Sequence, residues 1–439
     1  MNPPVSAEEH NREVHFLTRW PEASRVRSAV ILACIVSACS GTETRTPTGV
    51  PPDTTGGGVQ RATLELGITI GQLDSSIARQ LGWASGLPGA TLTVQRLGGG
   101  TALSAVANAQ GVVEVTSLLP GTYVLSALRL LQPQERAQLD ANDADVDAFG
   151  GGAILTIEAP RTTGTLVVVA GRRGSLVISE VWNGFPEQSN GSFYSFGHFV
   201  EVYNNGDVPL SLAGMLLVTG YAGSFDNPPF VTCSQSAPFQ RDSLGIWTTL
   251  TYEFPPSAGT LMPGQTVLIA TDALDHTTLA TGTYDLAGAD FEFRGAADTD
   301  NPQVPDMLSV GPSDGGDLLQ HGMMVYATRP VIALAGAVNI GSLPRQRDGN
   351  NREWMRVPAE NILDVLSFTG FSSATAVPCP QPVHISIDRQ ELLLTSIASE
   401  NSLQRQVVTT MPDGRKVLLR TRTSARDFRA VPATPGSIP

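Results

Sequence analysis

The chain is 439 residues long, room for two or three domains that each bury a core, and 44 glycines and 31 prolines against 6% aromatic residues suit a turn-rich all-β protein better than a helical one. The formal net charge is −13 and the only lysine is Lys416. A phosphate backbone would meet a repulsive field, which excludes nucleic acid as a partner.

The first 38 residues read as a lipoprotein signal peptide. Arg25 and Arg27 precede the apolar run from Ala29 to Val36, which closes with Val36-Ser37-Ala38-Cys39: a positive start, a short apolar stretch and small residues before a cut. About ten apolar residues are too few to cross roughly 30 Å of hydrocarbon. Val-Ser-Ala-Cys resembles a bacterial lipobox, which implies cleavage before Cys39, lipidation of Cys39 and a membrane anchor. Ser40 gives no strong signal for retention in the inner membrane, so the outer membrane is the expected address. Cys233 and Cys379 would then be the remaining thiols in an oxidising compartment, either paired as a disulfide or buried and free. Residues 39–59, rich in Thr, Pro and Gly without apolar period, read as a disordered linker behind the lipidated cysteine.

Residues 60–171 read as a small β-sandwich with strands near 63–70, 91–96, 111–116, 118–125, 154–158 and 164–170. Gly98-Gly99-Gly100 and Gly150-Gly151-Gly152 read as loops, and 133–140 has helix-forming composition. The pieces Gly89-Ala90-Thr91-Leu92-Thr93-Val94, Gly111-Val112-Val113-Glu114-Val115 and Leu118-Leu119-Pro120-Gly121-Thr122-Tyr123-Val124-Leu125 resemble the carboxypeptidase-regulatory-like, prealbumin-type module. That resemblance implies a Pro-Gly turn before a central strand and Tyr123 in the core; the acidic run 140–147 departs from it. Gly171-Arg172-Arg173-Gly174 is the expected junction.

Residues 172–430 read as a larger sandwich. Alternating strands at 176–182 and 199–203 are followed by an Asn204-Asn205-Gly206-Asp207 turn, which the Asn204 side chain would cap, and by the apolar run 210–218. Later strands are expected at 246–254, 266–270, 323–326, 330–334, 362–368, 407–410 and 415–420, with polar, aromatic-bearing insertions at 182–197 and 224–240 and a flexible tail at 431–439. The order "ISE…VEVYN…V.LSLAG" resembles the opening of a lamin-tail-type β-sandwich, and the segments 261–277, 285–292, 298–306, 356–368 and 402–428 are similar to an uncharacterised family of bacterial secreted lipoproteins. The resemblance implies a fold and an address, and no activity.

Chemistry is sparse. Asp298, Asp300, Asn301 and Asp306 supply hard oxygens in one short segment, a donor set suited to calcium, although the spacing is not that of an EF-hand; an Asx-rich turn is the other reading. His276 stands near Asp272 and Asp275, and His198 precedes a strand; neither has metal-ligand spacing, and both read as structural. Glu180 and Glu201 could face one another as acid and base, with a solvated strand face as the ordinary alternative. Gly311-Pro312-Ser313-Asp314-Gly315 has the letters of a nucleophile elbow without a following helix, and reads as a turn. Trp182, Phe185, Phe193, Tyr194 and Phe196, interleaved with Gly, Ser and Asn, have the composition of a recognition loop.

The expectation is therefore a non-enzymatic envelope lipoprotein that displays loops to a partner such as an outer-membrane transporter and needs no cofactor beyond a structural calcium. The alternatives are a secreted hydrolase, since lamin-tail-like modules accompany nucleases and phosphatases, and a structural or adhesion component.

Overall fold

The structure, a computed structural model, describes residues 60–438 except 84–85, 98–100, 185, 187, 189–193, 195, 221–240, 294–299, 313–330, 349–350, 352, 371–380, 382 and 395–400. The signal peptide, the linker, Cys39, Cys233, Cys379, Asp298, Phe185, Phe193, the strand expected at 323–326, the 224–240 insertion and Ser313 lie outside the described residues. No helix among the described residues is long and apolar enough to cross a membrane.

The first half forms one seven-stranded sheet. Its strands are β1 (Ala62–Ile70), β2 (Thr91–Arg96), β3 (Leu103–Val106), β4 (Val112–Leu118), β5 (Gly121–Leu130), β6 (Val146–Ile157) and β7 (Arg161–Arg172), in the order β3-β2-β5-β6-β7-β1-β4. Short helices α1 (Ser75–Gln80) and α2 (Pro133–Arg136) sit in its connections. Alternation along β1 buries Leu64, Leu66 and Ile68 and leaves their neighbours half-buried, the period-2 signature of a strand with one face on a core. The core also holds Leu92, Val94, Leu125 and Phe149. Tyr123 is buried there, its hydroxyl donating to the Leu119 carbonyl at 2.7 Å, as the Pro-Gly-Thr-Tyr segment implies.

The second half builds β8 (Leu176–Trp182), β9 (Phe199–Asn204), β10 (Leu210–Ser211), β11 (Leu216–Gly220), β12 (Gly245–Glu253), β13 (Thr260–Leu261), β14 (Thr266–Ala270), β15 (Phe291–Phe293), β16 (Asp306–Ser309) and β17 (Val331–Ala335). It continues through β18 (Arg345–Arg347), β19 (Glu353–Pro358), β20 (Ile362–Gly370), β21 (Leu392–Leu394), β22 (Asn401–Arg405), β23 (Val407–Thr410), β24 (Lys416–Leu418) and β25 (Phe428–Pro432), with α3 (Ser424–Asp427) before the last strand. Most of these strands form one 14-stranded array, β21-β20-β17-β11-β12-β16-β15-β14-β9-β8-β22-β25, with β19 and β18 joined beside β12. The array folds back on itself, because Ile178 and Val202 share a core with Leu217, Tyr252, Ile332 and Leu366. Phe254 meets Phe291 edge-on at 5.4 Å inside it. The tandem all-β architecture expected from composition and turn chemistry is present.

Three local readings differ. Gly150-Gly151-Gly152 lies inside β6 rather than in a loop. The glycines are required because side chains of the second half press on this strand: a Cβ at Gly150 would come within 2.7 Å of Thr421, and one at Gly152 would collide with the Gln390 side chain. Residues 431–438 are ordered, not a flexible tail, because β25 pairs along β22 and the segment after it packs back on the sheet. Every residue of β8 and β9 is buried, so the meander has no solvated face. The Asn204 cap is present: its amide donates to the Val208 and Leu261 carbonyls, and its Oδ1 accepts from the Gly206 N–H.

The junction is stapled by charge. Arg173 pairs with Asp147 at 2.8 Å and with Asp207 at 3.0 Å, and Asp207 also pairs with Arg415 at 2.5 Å.

Candidate functional site

Three groups that are separate in sequence meet at one end of the second sandwich. The connection after β8, the segment after β14 and the strands β15 and β16 bring the aromatic insertion, His276 and the acidic segment together around an apolar floor of Trp182, Phe199, Ala273, Leu286 and Val304. Tyr284 meets Trp182 edge-on at 5.2 Å.

His276 is fully buried. Its Nε2 faces the Asp272 carbonyl at 2.7 Å, which requires the proton on that nitrogen, so Nδ1 accepts from the Tyr194 hydroxyl at 2.6 Å. Burial holds the imidazole below its ordinary range, and burial followed by the Asp272 charge pushes the Tyr194 phenol up to about 12. His198 is also fully buried, with Nε2 on the Gly184 carbonyl at 3.0 Å, and desolvation lowers it to about 4. Both rings are therefore neutral and committed to backbone carbonyls, so they tie the insertion to the body of the sandwich.

The acidic segment is only partly the set expected. Carboxylate oxygens of Glu292, Asp300 and Asp306 lie within 4.8 Å of one another. Glu292, on β15, was missed because it reads as a strand residue between two phenylalanines; its place within the carboxylate-rich run 290–306 was the available signal. Glu292 is buried, accepting the Ala273 N–H and the Asn301 N–H, each at 3.0 Å. Burial raises its pKa, those two N–H groups oppose the shift, and the charges of Asp306 and Asp300 add to it. Asn301 turns its amide to the Ala273 carbonyl at 2.8 Å and its Oδ1 to the Gln303 N–H at 3.2 Å, so it braces the loop instead of facing the carboxylates. Glu292, Asp300 and Asp306 offer the oxygen chemistry a calcium ion takes.

Of the aromatic group, Trp182 and Tyr194 are buried, 1% and 7% exposed, and Phe196 is half-buried against Tyr194. Trp182 and Tyr194 build the floor and the lock of the loop end and are not available to a partner in this state. Glu180 and Glu201 do face one another, as directly opposed residues of β8 and β9, but both are buried. Gly311 and Pro312 follow β16, outside any helix.

A further buried acid, Asp388, accepts from the Ser367 and Ser424 hydroxyls and is raised by burial to about 7. A cavity of about 250 Å³ lies between residues 359–365, Ser386, Ile387 and Arg422. It adjoins neither the histidines nor the loop-end acids.

No protein family matches the chain in sequence, and no curated protein matches it. Among solved structures, the chain is similar to a DUF4876 family protein from Bacteroides thetaiotaomicron, with 15% identity, 86% of this chain and 98% of that one covered, and a TM-score of 0.50. A DUF3823 family protein from Parabacteroides merdae shares 8% identity over 68% of this chain and 97% of its own, at a TM-score of 0.16. The major pilin SpaD of Corynebacterium diphtheriae shares 10% identity over 63% of this chain and 61% of its own, at a TM-score of 0.17. The first of these likenesses bears on the fold; the other two are too distant to carry an argument.

Proposed function

We propose that this chain is a non-enzymatic binding module of the cell envelope, held by a lipid on Cys39 to the outer membrane and acting beside an outer-membrane transporter. The observation that carries the non-enzymatic part is the state of the loop end: both histidine rings and the Tyr194 hydroxyl are buried and spent on partners within the chain. A general base has to reach a substrate proton, and these cannot. The envelope address rests on the lipobox resemblance at 36–39, and the transporter partnership on the resemblance to secreted lipoproteins. In domain terms, residues 60–171 are read as the carboxypeptidase-regulatory-like module and 172–430 as the lamin-tail-like one, followed by the short tail. The test is cross-linking in the native envelope, followed by capture with a variant whose residues 185–193 are replaced by a Gly-Ser linker, which leaves Trp182 and Tyr194 in place. Loss of the cross-linked partner supports the insertion as the contact; unchanged capture removes it.

Glu292, Asp300 and Asp306 are proposed as a structural calcium site that fastens the loop after β15, with Asp298 as a further candidate ligand. Melting the mature protein with calcium and with chelator tests this: calcium should raise the melting temperature, and identical curves would end the reading.

A further inference from the structure

The outer face of β8 and β9 presents three rows in register: Val177 opposite Tyr203, Glu180 opposite Glu201, and Trp182 opposite Phe199. A bulge between Ile178 and Glu180 sets this phase, sending Ile178 and Val181 inward and Glu180 and Trp182 outward. The result is a pair of carboxyl groups bracketed by two apolar patches. Residues 433–438 lie across all three rows. Ala433 packs on the Trp182 and Phe199 patch, and Ile438 on the patch of Val177, Tyr203 and Leu418. Between them Thr434 gives its N–H to Glu180 Oε1 at 2.9 Å and its hydroxyl to Glu180 Oε2 at 3.1 Å, while the Gly436 N–H donates to Glu201 Oε1. The Gln404 amide completes the slot, holding the Pro432 carbonyl at 3.1 Å and the Thr434 hydroxyl at 2.8 Å.

The charge balance of this slot is unusual. Glu180 and Glu201 are 1% and 0% exposed. The segment above them, Ala433-Thr434-Pro435-Gly436-Ser437-Ile438, carries no titratable side chain, and β14 on the far side of β9 offers only Thr266, Val267, Leu268, Ile269 and Ala270. On β22 the residue opposite Glu180 is the neutral Gln404, the adjacent Arg405 is engaged by Asp364 and Asp427, and the cation next along that face, Arg429 of β25, is exposed to solvent beyond Gln404. The other charge felt by Glu201 is Asp290, also negative. The Ser179 hydroxyl beside Glu201 is neutral, and the hydrogen bond it offers works against the shift without supplying a charge. Two carboxylates cannot both ionise in so dry a place without a cation. Burial, followed by the charge on Glu180, raises Glu201 to about 8.

We propose that residues 433–438 form a proton-gated latch: the segment stays docked while Glu201 keeps its proton beside Glu180, and it lifts off as that proton is lost, uncovering the Trp182, Glu180 and Glu201 face of the sheet. The sign follows from linkage. Docked, Glu201 holds a proton that it releases in the ordinary glutamate range once solvated, so rising pH favours the free tail. The shift is up to about tenfold per pH unit until the docked pair itself ionises, and it is level above that.

The test uses the full mature chain. Hydrogen-exchange protection of the Thr434 and Gly436 amides, corrected for intrinsic rates, is measured from pH 5.5 to 9, alongside side-chain carboxyl NMR of labelled glutamate. Protection should fall steeply up to about pH 8 and then flatten, with one carboxyl of the pair still protonated at neutral pH, while Glu201→Gln keeps its protection flat across the range. Two carboxyls titrating in the ordinary range beneath a tail that stays protected would overturn the proposal. So would a Glu201→Gln tail that opens in parallel with the wild type. Should that variant not fold, the wild-type carboxyl titration decides alone.

Discussion

Replacing Arg405 by methionine probes the ionic centre of the second sandwich. Arg405 is fully buried, as are Asp364 and Asp427, whose side chains are 2% and 3% exposed. Its guanidinium pairs with Asp364, reaches Asp427 at 3.2 Å, and donates to the Ile178 carbonyl at 2.7 Å and the Leu419 carbonyl at 2.8 Å. One side chain thus fastens β22 to β8, β20 and α3. Removing one member of a buried ion group leaves uncompensated charge, which costs about 3–5 kcal/mol. At a urea slope of about 3 kcal/mol/M, the midpoint should drop by roughly 1–1.7 M. The lesion should also depend on pH in a definite direction. Burial already raises Asp427 despite the opposing charge of Arg405. Without the arginine its folded-state pKa rises further above the unfolded value, so the variant is relatively best at acid pH and loses stability as pH climbs through that folded pKa. Arg405→Met combined with Asp364→Asn and Asp427→Asn removes the stranded charge and should recover much of the loss. Urea titrations at pH 5 and pH 8 decide the matter. A loss below about 1 kcal/mol, or the same loss at both pH values, would show that the three groups do not act as a coupled buried unit.

Tyr194→Phe removes the hydroxyl that Nδ1 of His276 accepts from, leaving a buried acceptor unmet; thermal melting should register about 1–3 kcal/mol of destabilisation. Gly151→Ala would place a methyl 2.6 Å from the Val167 carbonyl of the neighbouring strand, and the overpacking should cost about 1–3 kcal/mol, read by the same melt. If calcium binds at the acidic corner, Asp306→Asn should abolish the calcium-dependent rise in melting temperature while leaving the chelator curve almost unchanged.

What the sequence conveyed about this fold was its local period. β1, β8, β9, β12 and β14 are legible because β-branched and aromatic residues run between glycine, proline and asparagine turns, and a strand's pleat is written into that spacing. Which faces are covered is a tertiary fact. Glu180 and Glu201 sit where alternation places a solvated side, and nothing within β8 or β9 announces that Thr434 and Gly436 will cap them from more than two hundred residues away. Glycine misled for the same reason: Gly150-Gly151-Gly152 has loop composition, and its need for absent side chains comes from Thr421 and Gln390, distant in the chain. At the loop end, sequence named Asp300, Asp306, His276 and Tyr194 individually, and only the fold supplied Glu292 and the hydrogen bond between Tyr194 and His276.

The late segments therefore do more than finish the sandwich. β8 takes one hydrogen-bonding neighbour from β9 and the other from β22, and beyond β22 lies β25. Arg405, on β22, neutralises Asp364, which in turn accepts the Ile178 N–H at 2.8 Å. Thr434 and Gly436 cap the glutamate pair. A chain ending at residue 400 would strip an edge from β8 and leave buried Asp364 without Arg405, a desolvation cost of order several kcal/mol added to the lost strand pairing, against a total stability of about 5–15 kcal/mol. That chain should fail to fold. A chain ending at Pro432 keeps β22, Arg405 and β25, loses the caps on a pair that water can then reach, and should fold with a lower melting temperature. Circular dichroism melts of the two truncations separate the roles: a cooperative, native-like transition for the shorter chain would mean that β8 and β9 do not depend on the returning strands.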